Sequence, residues 1–258
     1  MRPHPFTVSD IRSERLALPF YFLSDNHLST KNGFRQEQRI KDMLNLLEEI
    51  KKNRGTLFIL GDFFDFWFDK NDFVPRVLKP VVNALKAIVD EGIEVHYVAG
   101  NHDYWIEGYL TRELGLRFYP DALGFEANGW KIYCEHGDNT VYPNEQYPWI
   151  RKLIRDPLAI SMLKLLPITW TYKLGEAVSH YNREIPDTLS IAGFYVNKMK
   201  IFLEQKLSEG YDLAISGHIH SPLFEEINGN IIAVLGDWIN HRTYGYMNSE
   251  GFKLIDLK

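Results

Sequence analysis

The chain has 258 residues, 45% of them hydrophobic and 24% charged, enough for one globular core with room for an insertion. An aromatic content of 14% excludes a disordered chain, and a net charge of -5 excludes a surface built as a whole to hold a polyanion. The single cysteine, Cys134, excludes an intrachain disulfide and reads as a small buried hydrophobe in an apolar strand.

Met1 to Pro5 lead into a polar stretch without the apolar region of a secretory signal. No run is long enough to span a bilayer, since the most apolar stretch, Pro157 to Tyr172, is broken by Lys164 and Pro167. A cytoplasmic location is therefore expected. Phe20 to Ser24 reads as a buried strand ending at Asp25. Ile40, Met43, Leu44, Leu47 and Ile50 then recur at helical spacing. Thr56 to Leu60 is a short apolar strand ending at Gly61-Asp62. A second helix carries Val77, Val81, Val82, Leu85 and Ile88, with Pro75 in its first turn and Gly92 past its end.

Glu94 to Ala99 predicts a strand ending at Gly100-Asn101, and Trp130 to Cys134 one ending at His136. Leu213 to Ile215 leads to His218, Ile231 to Leu235 leads to Gly236-Asp237-Trp238, and Phe252 to Leu257 closes the sheet. This alternation predicts an α/β sandwich with helices outside. The stretch from Tyr142 to Leu207 breaks the rhythm and reads as an inserted helical cap on a single domain spanning residues 1–258. Between Arg151 and Arg183 it is basic (Arg151, Lys152, Arg155, Lys164, Lys173 and Arg183 against Asp156 and Glu176) and rich in leucine, methionine and tryptophan. Such composition is ordinarily a solvated amphipathic face.

Five clusters of hard-metal and nitrogen ligands sit at strand ends: Asp25-Asn26-His27, Gly61-Asp62, Gly100 to Asp103, His136-Gly137-Asp138 and Gly217 to His220. Ligands in open α/β sheets gather at such ends. Any one cluster is unremarkable, because a lone Gly-Asp is usually a turn. Together they supply the mixed oxygen and imidazole donors that two divalent metals need to clamp a phosphoryl displacement. No Gly-x-Ser-x-Gly elbow and no Walker phosphate loop is present.

These motifs resemble those of the calcineurin-like metallophosphoesterases: Asp-x-His at Asp25, Gly-Asp-x-x-Asp at Gly61 to Asp65, Gly-Asn-His-Asp at Gly100, His-Gly-Asp at His136 and Gly-His-x-His at Gly217. The resemblance implies a four-layer α/β/β/α sandwich. It implies that Asp25, His27, Asp62 and His220 bind one metal, and that a bridging Asp62, Asn101, His136 and His218 bind the other. It further implies that His102 stands over the phosphate, that Asp103 orients His102, and that water attacks phosphorus in line. Manganese is the expected metal, with iron or zinc as alternatives.

Within that superfamily the chain resembles the UDP-2,3-diacylglucosamine pyrophosphatases of lipid A synthesis over nearly its whole length. The likeness includes the aromatic run Gly61 to Asp69, Tyr147, Arg151, Pro157-Leu158 and Leu166-Pro167. It implies cleavage of a UDP-linked diacyl sugar to UMP and an acylated sugar 1-phosphate, at the inner face of the membrane, with the cap touching lipid. The expected substrate contacts are Asn101, His102, Asn144, Tyr147, Arg151, Arg155, Lys164 and Lys173. The chain departs from the best-known branch at His102, where that branch has arginine, at Asn144, which replaces an acid, and at Thr171, which replaces a basic residue. Two other readings are a metallophosphodiesterase for a soluble nucleotide or nucleic acid, and a non-catalytic scaffold. The apolar cap and negative charge speak against a nuclease, and the full ligand set against a scaffold. Neither a nucleic acid nor an obligate protein partner is expected.

Overall fold

Strands that alternate two sets of apolar residues can be buried on both faces, and this chain has several. The computed structural model describes residues 7–11, 16–31, 33–106, 108–141, 151–153, 155–183 and 189–257, with side chains described outside 176–192. The strands are β1 (Val8–Ile11), β2 (Phe20–Leu23), β3 (Thr56–Leu60), β4 (Val95–Val98), β5 (Arg117–Tyr119), β6 (Ala122–Ala127), β7 (Trp130–Glu135), β8 (Leu213–Ser216), β9 (Leu223–Ile227), β10 (Asn230–Val234), β11 (Thr243–Asn248) and β12 (Gly251–Asp256). The helices are α1 (Phe34–Asn53), α2 (Lys79–Asp90), α3 (Pro157–Leu165), α4 (Ile168–Arg183) and α5 (Leu189–Ser208), with a π-helical turn at Tyr109–Glu113.

The strands form two six-stranded mixed sheets, ordered β12-β11-β2-β3-β4-β5 and β1-β6-β7-β8-β10-β9. In the first, β2 to β5 run parallel and β11 closes antiparallel on β2. Because side chains alternate along a strand, each central strand feeds two cores. Phe20 and Phe22 of β2, with Phe58 and Leu60 of β3, point between the sheets and meet Leu213 and Ile215 of β8. Tyr21, Leu23, Leu57 and Ile59 point outward and pack on Met43, Leu47 and Ile50 of α1 and Val81, Leu85 and Ile88 of α2. On the far side, Ala214 and Ile232 are covered by Met199 and Leu203 of α5. The layers are helix, sheet, sheet, helix, as the motif resemblance implies.

Two boundaries differ from the sequence expectation. Helix α2 starts at Lys79 and carries Pro80 in its first turn. Pro75 instead lies in the preceding turn, where its carbonyl accepts from the N–H groups of Leu78 and Lys79. The helical stretch after His136 also divides in use. The later part of α5 is the outer layer of the second sheet. Among the described residues, α3 and α4 are the part that rests on the aromatic run, through Ile160, Leu163, Ile168 and Tyr172 against Phe66, Phe68 and Trp105. Helix α3 is capped by Asp156, whose carboxylate accepts from the N–H groups of Leu158 and Ala159, and it buries no side chain fully. Leu158, Met162, Leu165 and Trp170 lie exposed on this part. No described helix is long and apolar enough to cross a membrane.

Candidate metal centre

Each ligand cluster follows directly on a strand whose register is fixed by burial, so the loops after β2, β3, β4, β7 and β8 converge at one edge of the sandwich. The backbone there is strained. Asp25 (φ 52°), His27 (φ 45°), Asp62 (φ 52°), His218 (φ 71°) and His220 (φ 54°) take the left-handed conformation. Such residues cost about 1–3 kcal/mol each and persist where the surroundings over-determine them. Here they do: Asp25 N–H donates to Gly61 O, His27 N–H to Asp62 O, and Trp238 N–H to Asp25 O, at 3.0–3.2 Å. Gly100 serves close approach, since a Cβ there would overlap both the backbone nitrogen and the carboxylate of Asp62.

The histidines aim inward because their outer nitrogens are occupied. His136 Nδ1 lies 2.9 Å from Leu60 O, and His102 Nδ1 lies 2.9 Å from Asp65 O. A carbonyl only accepts, so both Nδ1 atoms carry hydrogen and both Nε2 atoms face the centre. His27 Nε2 and His220 Nε2 stand 3.1 Å apart, with Asp25 Oδ1 3.3 Å from the latter. Two nitrogens bound to one ion at about 2.1 Å and near a right angle lie about 3 Å apart. Asp62 Oδ2 is 3.4 Å from His136 Nε2 and 3.8 Å from the Nε2 atoms of His27 and His102. Asn101 Oδ1 is 3.1 Å from His136 Nε2.

Among the described residues three overlapping donor groups emerge: Asp25, His27 and His220; Asp25, Asp62 and His136; and His27, Asp65 and His102. These donors fit divalent metal ions. Asp25 Oδ1 is buried without a hydrogen-bond partner. The electrostatics agree. Burial works against the charge on Asp25, yet the close His220 imidazole, 3.3 Å away, outweighs it and holds the carboxyl at about 2. Burial likewise opposes a charged His136, but Asp62 outweighs it and lifts the imidazole to about 10. Burial pushes His27 and His218 down to about 4. Buried carboxylates and imidazoles thus crowd one pocket, a donor set that a cation can join.

Not every expected site residue falls where the sequence suggests. The His218 ring lies 5.0 Å from that of His136 and joins none of the three donor groups. Asp103 makes no described hydrogen bond to His102. It is fully buried, and its oxygens accept from the N–H groups of Asp62, Phe63, Phe64 and Gly100 and from the Tyr97 hydroxyl. It braces the backbone that carries Asp62, and the Asp65 carbonyl holds His102 instead.

Arg151 and Arg155 are both engaged with buried acids. Arg151 pairs with Asp138 at 2.8 Å and Asp121 at 3.1 Å, and Arg155 with Asp121 at 2.7 Å and Asp138 at 3.3 Å. Arg155 also donates to Pro120 O and stacks 4.4 Å over the Tyr104 ring. Two buried carboxylates need compensation, and the two guanidinium groups provide it. Lys164 and Lys173 are exposed on α3 and α4. Asn144 and Tyr147 lie outside the described residues. Sequence reasoning missed Asp237, whose signal was a glycine-led strand end like that of Asp62. Asp65, the last residue of the Gly-Asp-x-x-Asp motif, stands 3.6 Å from His27 Nδ1.

The sequence model of the calcineurin-like phosphoesterases matches residues 18–222. A protein named UDP-2,3-diacylglucosamine hydrolase from Porphyromonas gingivalis is 29% identical over 240 residues, covering 87% of this chain and 92% of that one. Proteins of the same name from Photobacterium profundum and Neisseria meningitidis serogroup B are 28% and 29% identical, covering 90% and 86% of this chain and 94% and 90% of theirs. With the family pattern running through most of its length, the chain belongs to the calcineurin-like phosphoesterases and is a metal-dependent phosphoester hydrolase.

Proposed function

We propose that the chain hydrolyses the diphosphate of UDP-2,3-diacylglucosamine to UMP and 2,3-diacylglucosamine 1-phosphate, with two divalent metals held by Asp25, His27, Asp62, Asn101, His136, His218 and His220. One juxtaposition carries the reading. Beside the carboxylate and imidazole pocket, α3 and α4 are anchored on a buried aromatic cluster of Phe66, Phe68, Trp105 and Tyr172 and leave Leu158, Met162, Leu165 and Trp170 exposed. A diphosphate that bears fatty-acyl chains suits a polar pocket next to exposed apolar side chains. The names of the relatives point to the same substrate.

When bound, the ions supply Lewis-acid activation of water and neutralise phosphoryl oxygens. Carboxylate, amide and imidazole donors together suit manganese better than calcium. Asp62, with Oδ2 3.4 Å from His136 Nε2 and 3.8 Å from His27 Nε2, would be shared between the two ions. His102, held through Nδ1–H on Asp65 O, turns Nε2 toward the centre, where it would face the phosphate and its leaving group. Asn101 and His102 are the substrate-facing polar groups. The exposed apolar residues of α3 and α4, with Lys164 and Lys173 among them, suit contact with an anionic lipid surface at the cytoplasmic face of the membrane.

The test is UMP release by the purified, manganese-loaded protein from UDP-2,3-diacylglucosamine and from its deacylated counterpart. The reading expects much faster turnover of the acylated substrate. No UMP from it, or equal turnover of both, overturns the reading. Co-sedimentation with anionic phospholipid vesicles, weakened in Trp170→Ser, tests the membrane contact.

A further inference from the structure

Asp237 belongs to none of the five ligand clusters, yet it is completely buried at the edge of the metal centre. It follows Gly236, which has φ 76°, at the end of β10. One carboxylate oxygen accepts from the N–H groups of Asn240 and His241 at 2.8 and 3.0 Å, which closes the turn after the strand. The other oxygen lies 3.6 Å from His220 Nδ1 and accepts from Asn240 Nδ2 at 3.2 Å. The next residue, Trp238, donates its backbone N–H to Asp25 O. The turn thus holds both His220 and Asp25 from behind. Across the same donor set, Asp65 Oδ1 stands 3.6 Å from His27 Nδ1.

We infer that Asp237 and Asp65 are positioning residues of the metal centre. Each buried carboxylate faces the outer nitrogen of one histidine in the Asp25, His27 and His220 set. A hydrogen on Nδ1 directed at a carboxylate leaves the Nε2 lone pair facing inward and makes it a better donor. This explains how two imidazole Nε2 atoms are kept 3.1 Å apart in the same pocket. It also gives the Gly236-Asp237-Trp238 turn a task that the five ligand motifs do not cover. The inference rests on the reading of this pocket as a metal centre.

The experiment is manganese titration of the metal-free protein by calorimetry, for the wild type, Asp237→Asn, Asp237→Ala and Asp65→Asn. Asparagine keeps an oxygen for the Asn240 and His241 N–H groups, so Asp237→Asn preserves the backbone closure of the turn and loses the charge together with the bond from Asn240 Nδ2. Asp237→Asn and Asp65→Asn should each weaken manganese binding by about 10–100-fold, with the melting temperature of the metal-free protein unchanged. Turnover of Asp237→Asn should recover at raised manganese. Wild-type affinity in both asparagine variants overturns the inference and leaves the metal centre standing. So does a loss seen only in Asp237→Ala and matched by a lower melting temperature, because the role is then structural. A wild type that takes up no manganese overturns both.

Discussion

Removing Arg155 should loosen the joint between α3 and the metal-bearing loops. Its guanidinium serves Asp121, Asp138 and the carbonyl of Pro120, and covers Tyr104, two residues beyond His102. The side chain is 12% exposed, and those of its two acids 6% and 4%. Breaking one partner of a buried ion pair costs about 3–5 kcal/mol. Arg151 still contacts both acids, so Arg155→Leu should sit at the low end, about 3 kcal/mol. For a chain of this size that is a fall in Tm of about 6–12 °C.

The loss should depend on pH. Burial alone would raise the Asp138 carboxyl, but Arg155 and Arg151 outweigh it and hold it below its ordinary 3.8. A carboxylate with a depressed folded-state pKa contributes stability that is complete above the unfolded value and fades as pH falls through the folded one. Thermal melts of metal-free wild type and Arg155→Leu should therefore differ most near neutrality and converge below 3.8. A double-mutant cycle with Asp121→Asn should show the two effects to be non-additive. A variant that melts within about 1 °C of the wild type at neutral pH, or a gap that ignores pH, would refute this account of the cluster.

Gly100→Ala should abolish metal uptake in a folded protein, because its Cβ overlaps Asp62; full occupancy by elemental analysis would contradict that. Asp103→Ala should strand the buried N–H groups of Asp62, Phe63, Phe64 and Gly100, costing about 3 kcal/mol or more in denaturant unfolding, with Asp103→Asn milder. His102→Gln should lower kcat by about 10²–10⁴-fold while metal content and Tm hold; a parallel loss of metal would instead make His102 a ligand.

The reaction class was legible because its signals are local. A strand two-sidedly buried, such as Phe20 to Leu23, is visible as an unbroken apolar run, and the ligand types stand immediately after it. Strand ends group Asp25, Asp62 and Asn101 on one sheet and His136 and His220 on the other, since parallel strands deliver their carboxyl ends to the same side; the packing of the two sheets joins the groups. Asp103 was found but misassigned. Its position next to His102 suggested contact, whereas its carboxylate turns back to the N–H groups of Asp62 and Phe63, 41 and 40 residues away.

The chemistry of the donors, their order and the alternation of strand and helix were written in the sequence, because each depends on residues a few positions apart. Which carboxylate holds which cation was decided only by the tertiary structure. Arg155 meets Asp121 across 34 residues, and His27 meets His220 across 193. The basic residues of the cap read as free charge in the sequence. Folding brought Arg151 and Arg155 against two acids that could not be buried unpaired, and left Lys164 and Lys173 in the open. A charge shows its sign in sequence, but its partner is chosen by desolvation, which exists only once the chain has closed around it.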